Sequence, residues 1–113
     1  MSTDPPFPLP PLWFEILVSL AGADLHGYAI LQDVEHRSDG AVTMLAGTLY
    51  RALERLLEHG LIREVSGPAA EADARRRYYR LTPAGRRVAR EEALRLAATL
   101  GEAKRRRLVD GSF

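Results

Sequence analysis

Three polar side chains, Thr48, Arg51 and Arg55, recur at intervals of three and four residues within the segment GTLYRALERLLEHGLI, residues 47–62. This spacing places all three on one side of a helix. The guanidinium fork of arginine fits a guanine edge or a phosphate, and a hydroxyl at the start of a helix is also well placed for a phosphate. The segment therefore predicts a helix whose polar side is either solvated or in contact with a polyanion.

The opposite side of this helix is apolar. A helical wheel groups five residues there: Leu49, Tyr50, Leu53, Leu56 and Leu57. Glu54 and Glu58 lie among the polar residues, and their attraction to arginines three positions away roughly cancels the repulsion between like charges four apart. The wheel alone favours a solvated polar side, and it leaves Tyr50 equally open to core packing and to contact with the polyanion.

A second basic cluster, Arg75, Arg76 and Arg77, precedes Tyr78 and Tyr79. The tyrosines favour a strand, in which successive side chains alternate between two faces. One face of that strand has to cover the core, so not every arginine is available to a partner. The cluster predicts either phosphate contacts or a solvated hairpin, without base recognition.

Proline, glycine and apolar spacing indicate the elements that position these residues. The prolines of residues 5–11 predict an extended arm, because proline lacks the N–H that a helix or central strand uses. Apolar spacing predicts helices over residues 12–22 and about 25–36, and a short extended piece over residues 42–45 before the helix at 47–58. The inward residues of the second helix are expected to be Tyr28, Ile30, Leu31 and Val34.

The pattern changes from helical to alternating after Gly60, which is expected to close the third helix in the left-handed conformation. Residues 61–65 and 75–81 predict the two strands of a hairpin, joined by a loop of small residues. Thr82 is expected to cap a last helix that has proline in its first position and ends near Leu108.

This order of elements predicts a mostly α fold with a small β-hairpin, a winged helix-turn-helix whose third helix is the recognition helix. The expected organisation is a flexible proline-rich arm at residues 1–11, a winged helix-turn-helix domain at residues 12–81, a C-terminal dimerisation helix at residues 82–108, and a tail at residues 109–113.

The dimerisation role rests on apolar residues that repeat at intervals of four and three along the last helix. These residues are Ala89, Ala93, Leu96, Leu100 and Ala103. Such a repeat is typical of a short coiled-coil seam, which a monomer would leave in water. A homodimer is therefore expected.

Composition excludes several classes of protein. With 113 residues and no cysteine, the chain is expected to form one small domain without disulfides. No apolar run approaches the roughly 18–20 residues of a membrane span, and the N-terminus lacks the basic start of a signal peptide, so a soluble cytoplasmic protein is expected. Residues 1–62 carry 3 basic and 8 acidic side chains, whereas residues 63–113 carry 13 and 7. This split suits a polyanionic partner or a solvated arginine-rich helix.

Nothing in the sequence is typical of an enzyme or a metal site. His26, His36 and His59 lie in different predicted elements, without cysteines or carboxylates at ligand spacing. Glycine-rich phosphate loops, nucleophile elbows and acid/base pairs are not visible. We expect no catalytic residue, no metal and no cofactor. Gly27 is expected to let two helices approach closely, with Tyr28 packed beside them.

Four stretches together resemble the PadR family of bacterial transcriptional regulators. They are HGYAI at residues 26–30, the segment at 47–62, RRRYYRLTPAGRR at 75–87, and the arginine-rich helix that follows. The resemblance covers nearly the whole chain, and the single helix after the wing is similar to the small subfamily. Ala46 departs from the proline or serine that relatives often have, and it offers no side-chain hydrogen bond at the start of the helix.

The resemblance implies a ligand-responsive repressor that binds operator DNA as a homodimer. It makes Thr48, Tyr50, Arg51 and Arg55 of the third helix the candidates for DNA contact. The basic cluster of the hairpin adds Arg75, Arg76 and Arg77 as candidates for phosphate contact. Trp13 and Phe14, with the prolines before them, are candidates for a pocket at the dimer interface that binds a small apolar or aromatic effector, with core packing as the alternative. A second class of function, a winged-helix protein-interaction module without DNA binding, remains open, but the paired arginines and the basic hairpin favour DNA.

Overall fold

The structure, a computed structural model, describes residues 4–68 and 76–110. That part of the chain contains four helices: α1 (Pro11–Gly22), α2 (Gly27–Arg37), α3 (Ala46–Glu58) and α4 (Pro83–Arg105). The same residues contain three short strands: β1 (Leu25–His26), β2 (Ile62–Val65) and β3 (Tyr78–Leu81). The strands form an antiparallel sheet in the order β1-β3-β2. This architecture confirms the predicted mostly helical winged helix-turn-helix fold with a C-terminal helix.

The core lies where the first three helices meet the sheet. Its fully buried side chains are Ile16, Leu17, Ile30, Val34, Leu49, Leu53, Leu56, Leu61 and Ile62. Burying one such side chain contributes roughly 1.5–3 kcal/mol. Three of these buried side chains, Leu49, Leu53 and Leu56, come from one side of α3, so the opposite side of this helix faces away from the core.

The end of α3 and the start of α4 are joined by hydrogen bonds that the sequence indicates. Gly60 has a positive φ of 70°, and the N–H of Leu61 donates to the carbonyl of Leu56 at 3.0 Å, so the helix closes directly into β2. The Thr82 hydroxyl accepts from the N–H of Gly85 at 3.0 Å and donates to the carbonyl of Gly60 at 2.7 Å. The predicted closure at Gly60 and cap at Thr82 are both confirmed.

Strand β1 corrects two predictions. The short extended piece is not at residues 42–45, which form no strand, and α2 does not begin at Leu25. Instead Leu25–His26 pairs with Tyr78 and Tyr79 of β3. The pairing is only two residues long, so it leaves no alternation in the sequence by which a strand is recognised.

The central strand β3 has both tyrosines buried, although they point to opposite faces. Tyr79 belongs to the core cluster. Tyr78 is covered on the other face by the ring of His26, whose centroid lies 5.3 Å away in an edge-to-face arrangement, and by Gly67, where an added Cβ would collide with the Tyr78 ring. The tyrosines thus fix the wing against the body of the protein.

The end of the proline-rich arm is attached to α4. Leu9 is buried, and its N–H donates to Oε1 of Glu92 at 3.4 Å. Glu92 is 2% exposed and accepts two hydrogen bonds from Arg95, at 2.9 and 2.7 Å. The Arg95 guanidinium, helped by the Leu9 N–H, holds the pKa of the Glu92 carboxyl below its usual value against the opposing effect of burial. The arm predicted to be flexible is therefore fixed at its Leu9 end.

Candidate nucleic-acid interface

Helix α3 presents a polar side away from the core. Leu49, Ala52, Leu53 and Leu56 are buried and Leu57 is half-buried, whereas Arg51 and Arg55 are exposed and Thr48 is half-buried. Tyr50, for which the sequence left two interpretations open, is 52% exposed. Core packing is therefore the wrong interpretation for this side chain.

The arginines of α3 are weakly bound within the protein. Arg55 Nε lies 3.8 Å from Oε2 of Glu58, with both side chains more than half exposed, and such an exposed pair stabilises a protein by only about 0–1 kcal/mol. No ion pair joins Arg51 to another residue in the described ranges 4–68 and 76–110. Both guanidinium groups are available to an external anion.

Thr48, Arg51 and Arg55 line one groove between α3 and the start of α1. The groove has a volume of about 440 Å³, and its other wall consists of Pro10, Pro11, Leu12 and Trp13. The Trp13 ring packs near His59 at the end of α3, with ring centroids 5.7 Å apart. An apolar wall therefore stands directly beside the polar side of α3.

Trp13 and Phe14 do not share a pocket in the described protomer. Phe14 lines a different groove of about 380 Å³ between α1 and α4, together with Ala89 and Ala93. The cause is helical geometry, because neighbouring residues point about 100° apart.

The arginines of the wing differ in what they contact. Arg80 donates to both carboxyl oxygens of Asp24, with a shortest distance of 2.7 Å, and these hydrogen bonds hold the pKa of Asp24 below its usual value. Arg77 Nη1 lies 3.6 Å from Oε1 of Glu64, with both side chains exposed. Arg76 is exposed and approaches His26, whereas the predicted site residue Arg75 lies outside the described residues.

Tyr50, Arg76 and Arg77 come together around a cavity of about 350 Å³ between the wing, α3 and the start of α2. Tyr79 forms part of its lining, and burial raises the pKa of the Tyr79 hydroxyl. The structure adds His26 and Tyr28 to this set. The sequence analysis did not include either residue in the candidate site. Tyr28 was expected to point inward, but its side chain is 60% exposed. The sequence feature that could have identified them is their position on either side of Gly27 in HGYAI, because Gly27 contacts Tyr50.

That glycine-dependent contact confirms the predicted role of Gly27. A Cβ at this position would lie 2.7 Å from the hydroxyl oxygen of Tyr50. Glycine therefore lets the phenol of α3 rest against the first turn of α2.

The apolar repeat of α4 is divided between two environments. Ala89 is half-buried and packs against the core beside α1. Leu96 and Leu100 are 39% and 38% exposed. Within the protomer, α1 and the core therefore cover the seam at Ala89, whereas Leu96 and Leu100 remain exposed.

Among residues 4–68 and 76–110, no three metal-ligating side chains cluster. No described helix combines the length and apolar character required to cross a membrane.

A model of the transcriptional regulator PadR-like family matches residues 16–91 of the sequence. The chain belongs to the PadR-like family. Because the members of this family are transcriptional regulators, the expectation that the chain is not an enzyme is confirmed. The PadR-like match spans α1 to the first part of α4 and includes α3 and the wing.

Most of the chain also matches a protein from a transposon. An uncharacterized 37.1 kDa protein in transposon TN4556 of Streptomyces fradiae is 38% identical over 86 residues, which are 76% of this chain. The chain matches only 23% of that relative's length.

Solved structures of transcriptional regulators share the fold. A transcriptional regulator from Clostridium thermocellum matches with a TM-score of 0.70 and 28% identity, covering 83% of this chain and 87% of its own. A PadR family transcription regulator from Clostridium difficile matches with a TM-score of 0.64 and 25% identity over 86% and 99% of the two chains. Bacillus subtilis PadR in complex with operator DNA matches with a TM-score of 0.62 and 21% identity over 73% and 46%, a likeness of fold alone.

Proposed function

We propose that this PadR-like regulator is a cytoplasmic, ligand-responsive repressor that binds operator DNA as a homodimer. The observation that carries the proposal is the polar side of α3, where Arg51 and Arg55 are exposed beside Thr48 while the opposite side is buried in the core. A winged helix places this element in the major groove, where arginine binds guanine edges bidentately. The operator-bound state of the Bacillus subtilis neighbour supports the same use of the fold.

In the proposed complex, the wing supplies phosphate contacts. Arg76 and Arg77 are exposed, and we assign them to this role together with Arg75. The exposed Arg77–Glu64 pair is weak enough for a phosphate to replace it. Tyr50 joins the DNA-contacting set because its phenol is exposed next to the same arginines.

Dimerisation is assigned to the seam of α4. Leu96 and Leu100 are large apolar side chains that the protomer leaves more than one third exposed. A second copy of the helix would cover them, with Ala93 and Ala103 allowing close approach and Ala89 at the covered end of the seam.

The effector is assigned to the groove that contains Trp13. The wall formed by Pro10, Pro11, Leu12 and Trp13 is apolar, which suits a small apolar or aromatic molecule. Its opposite side carries Arg51 and Arg55, so a molecule bound there would occupy space next to the side chains proposed to contact DNA. Phe14 joins such a site only where a dimer brings the two grooves together.

The proposal is tested by gel shift of the wild-type chain on the upstream region of its own gene. Arg51→Ala is expected to weaken operator binding by about 1–3 kcal/mol and to relax specificity at one base position. Arg87→Ala, which removes the same charge from the exposed surface of α4, is the control. Operator affinity that is unchanged in folded Arg51→Ala and Arg55→Ala variants would favour a protein-interaction module instead.

A further inference from the structure

The segment that leads into α3 alternates between half-buried and exposed side chains, although it forms no strand. Val42 and Met44 are half-buried and pack against the core, whereas Thr43 and Leu45 are exposed. The backbone of Leu45 is extended, with φ −73° and ψ 152°, and successive side chains of an extended segment point in opposite directions. The packing of Met44 therefore turns Leu45 outward, at the point where α3 begins.

Leu45 contributes to neither the capping of α3 nor the core. It occupies the N-cap position, where Ser, Thr, Asp or Asn would accept a backbone N–H, and its side chain makes no such bond. Its carbonyl accepts the N–H of Leu49 at 3.0 Å, so the helix holds the residue in place. The side chain is 80% exposed, the highest fraction among the large apolar side chains in the described ranges. A leucine at this position is unfavourable for the protomer alone, which points to an apolar contact outside it.

Gly47, in the first turn of α3, is also not required by the protomer. Among the described residues, an added Cβ would meet only Nη1 of Arg51, at an ordinary contact distance of 3.6 Å. The φ of Gly47 is not positive, so the backbone does not require glycine either. Glycine is less favourable than alanine within a helix because ordering it costs more backbone entropy. Such a glycine is typical of a place where a partner approaches the backbone closely.

Leu45 and Gly47 lie at the N-terminal end of the helix proposed to enter the major groove. In helix-turn-helix proteins, the N-terminal residues of this helix contact base edges. Gly47 is on the same side of α3 as Arg51, because a side chain at Gly47 would touch that guanidinium. The major groove contains one apolar group, the 5-methyl of thymine, and apolar side chains contact it there. This group matches the exposed side chain of Leu45.

We propose that Leu45 recognises the 5-methyl group of one thymine in each half-site of the operator. Because Gly47 has no side chain, the first turn of α3 can approach the base edges closely enough for this contact. The methyl group distinguishes thymine from the other three bases, so the contact adds sequence information that phosphate contacts lack. The inference rests on the proposed binding of operator DNA as a homodimer.

Replacing the operator thymidines one at a time with deoxyuridine tests the contact, because the two nucleosides differ only by the 5-methyl group. With the full-length wild-type chain, one position in each half-site is expected to weaken binding by about fourfold, as the burial of one methyl group predicts. Leu45→Ala is expected to bind the thymine operator more weakly by at least the same factor. Uracil at that position should then have no further effect, and this non-additivity identifies a direct contact.

Two further variants control for structural effects. Leu108→Ala removes the same side chain from a position beyond the end of α4 that is 79% exposed, and its sensitivity to uracil should match that of wild type. Gly47→Ala adds a Cβ that the protomer can accommodate, so its midpoint of urea unfolding should be unchanged or higher. Its operator affinity should nevertheless fall by about tenfold, because the added methyl group holds α3 away from the base edges.

The outcomes separate this inference from the proposed function. If wild type binds no duplex, both are refuted. If wild type binds duplex and no uracil position is coupled to Leu45, the inference alone is refuted. Operator affinity in Gly47→Ala equal to that of wild type would overturn the close approach of α3, and the inference with it.

Discussion

Gly85, in the first turn of α4, lies so close to the carbonyl oxygen of Leu61 that a Cβ would collide with it. The Leu81 side chain is also close, because its Cδ1 atom lies 2.8 Å from where that Cβ would be. The carbonyl of Leu61 already accepts the N–H of Thr82 at 3.1 Å, so it cannot move freely. This contact fixes where α4 leaves the winged-helix domain.

Gly85→Ala is therefore expected to destabilise the fold by about 1–3 kcal/mol through steric overlap. Gly101 is a matched control, because it lies in the same helix and an added Cβ would meet nothing closer than 3.7 Å. Gly101→Ala is expected to stabilise by up to about 1 kcal/mol through helix propensity. Urea unfolding measures both changes, and equal stabilities for the two variants would contradict the close contact.

In the wing, Arg77→Ala is expected to weaken binding to all duplexes alike and to lower the salt slope by about 1 for each phosphate that the variant no longer neutralises. The reason is that phosphate contacts carry no base information. Glu64→Gln is the control, because it removes the carboxylate 3.6 Å from Arg77 and should raise affinity slightly. Fluorescence anisotropy titrations at several salt concentrations measure the slopes. An unchanged slope in Arg77→Ala means that this side chain is only solvated.

Leu96→Glu combined with Leu100→Glu is expected to give monomers with an intact winged-helix core. Each glutamate would be buried without a partner in the dimer, and a twofold interface contains each substitution twice. These monomers should lose most operator affinity, because two half-sites are no longer bound together. Light scattering beside a DNA titration measures both effects.

Leu94→Glu is the control for this experiment, since Leu94 is 57% exposed and lies outside the repeat. It is expected to leave the dimer intact. A double variant that remains dimeric would place the interface elsewhere, and the first helix around Trp13 would be the next candidate.

Acid should weaken the contact between α1 and α2. Asp33 accepts hydrogen bonds from Arg37 at 2.9 Å and Ser19 at 2.7 Å, and these bonds, led by Arg37, hold the pKa of Asp33 below its usual 3.8. A carboxyl with a lowered folded pKa stabilises the fold above its unfolded pKa. That stabilisation is lost as pH falls through the lower folded value.

Asp33→Asn should accordingly lower Tm at neutral pH and flatten its fall below pH about 4. Asp39→Asn, an exposed substitution outside this network, should follow the wild-type profile. Thermal unfolding monitored by circular dichroism across the acid range compares the three proteins. Identical profiles would show that the network contributes nothing to stability.

Strong local signals made much of the fold predictable. The apolar side of α3, the closure at Gly60 and the cap at Thr82 each follow from residue chemistry that acts within one or two helical turns. A close contact at Gly27 was also predictable, because only glycine leaves room for it, although the sequence did not identify Tyr50 as the residue that makes this contact. The orientation of Tyr28 was not, since the inward positions of α2 are already filled by Ile30 and Val34.

The candidate site could not be predicted from the sequence, because it depends on contacts between residues that are far apart in the chain. His26 and Arg76 are fifty positions apart in sequence, and the pairing of β1 with β3 brings them to 3.0 Å. A two-residue strand has no periodicity, so this pairing is visible only in three dimensions. The burial of both Tyr78 and Tyr79 is similarly due to elements distant in the chain that cover opposite faces of β3.

Strand β1 has a mechanical consequence for the proposed regulator. Because Leu25–His26 pairs with β3 and leads directly into α2, the wing cannot tilt without pulling on the helix that packs against α3. The wing, α2 and α3 therefore move together as one rigid DNA-binding unit. In the proposed dimer, the distance between two such units is set by the angle at which the paired α4 helices cross. A change in that angle would therefore alter the spacing between the two units, and with it the operators that the dimer fits, without a change within either unit.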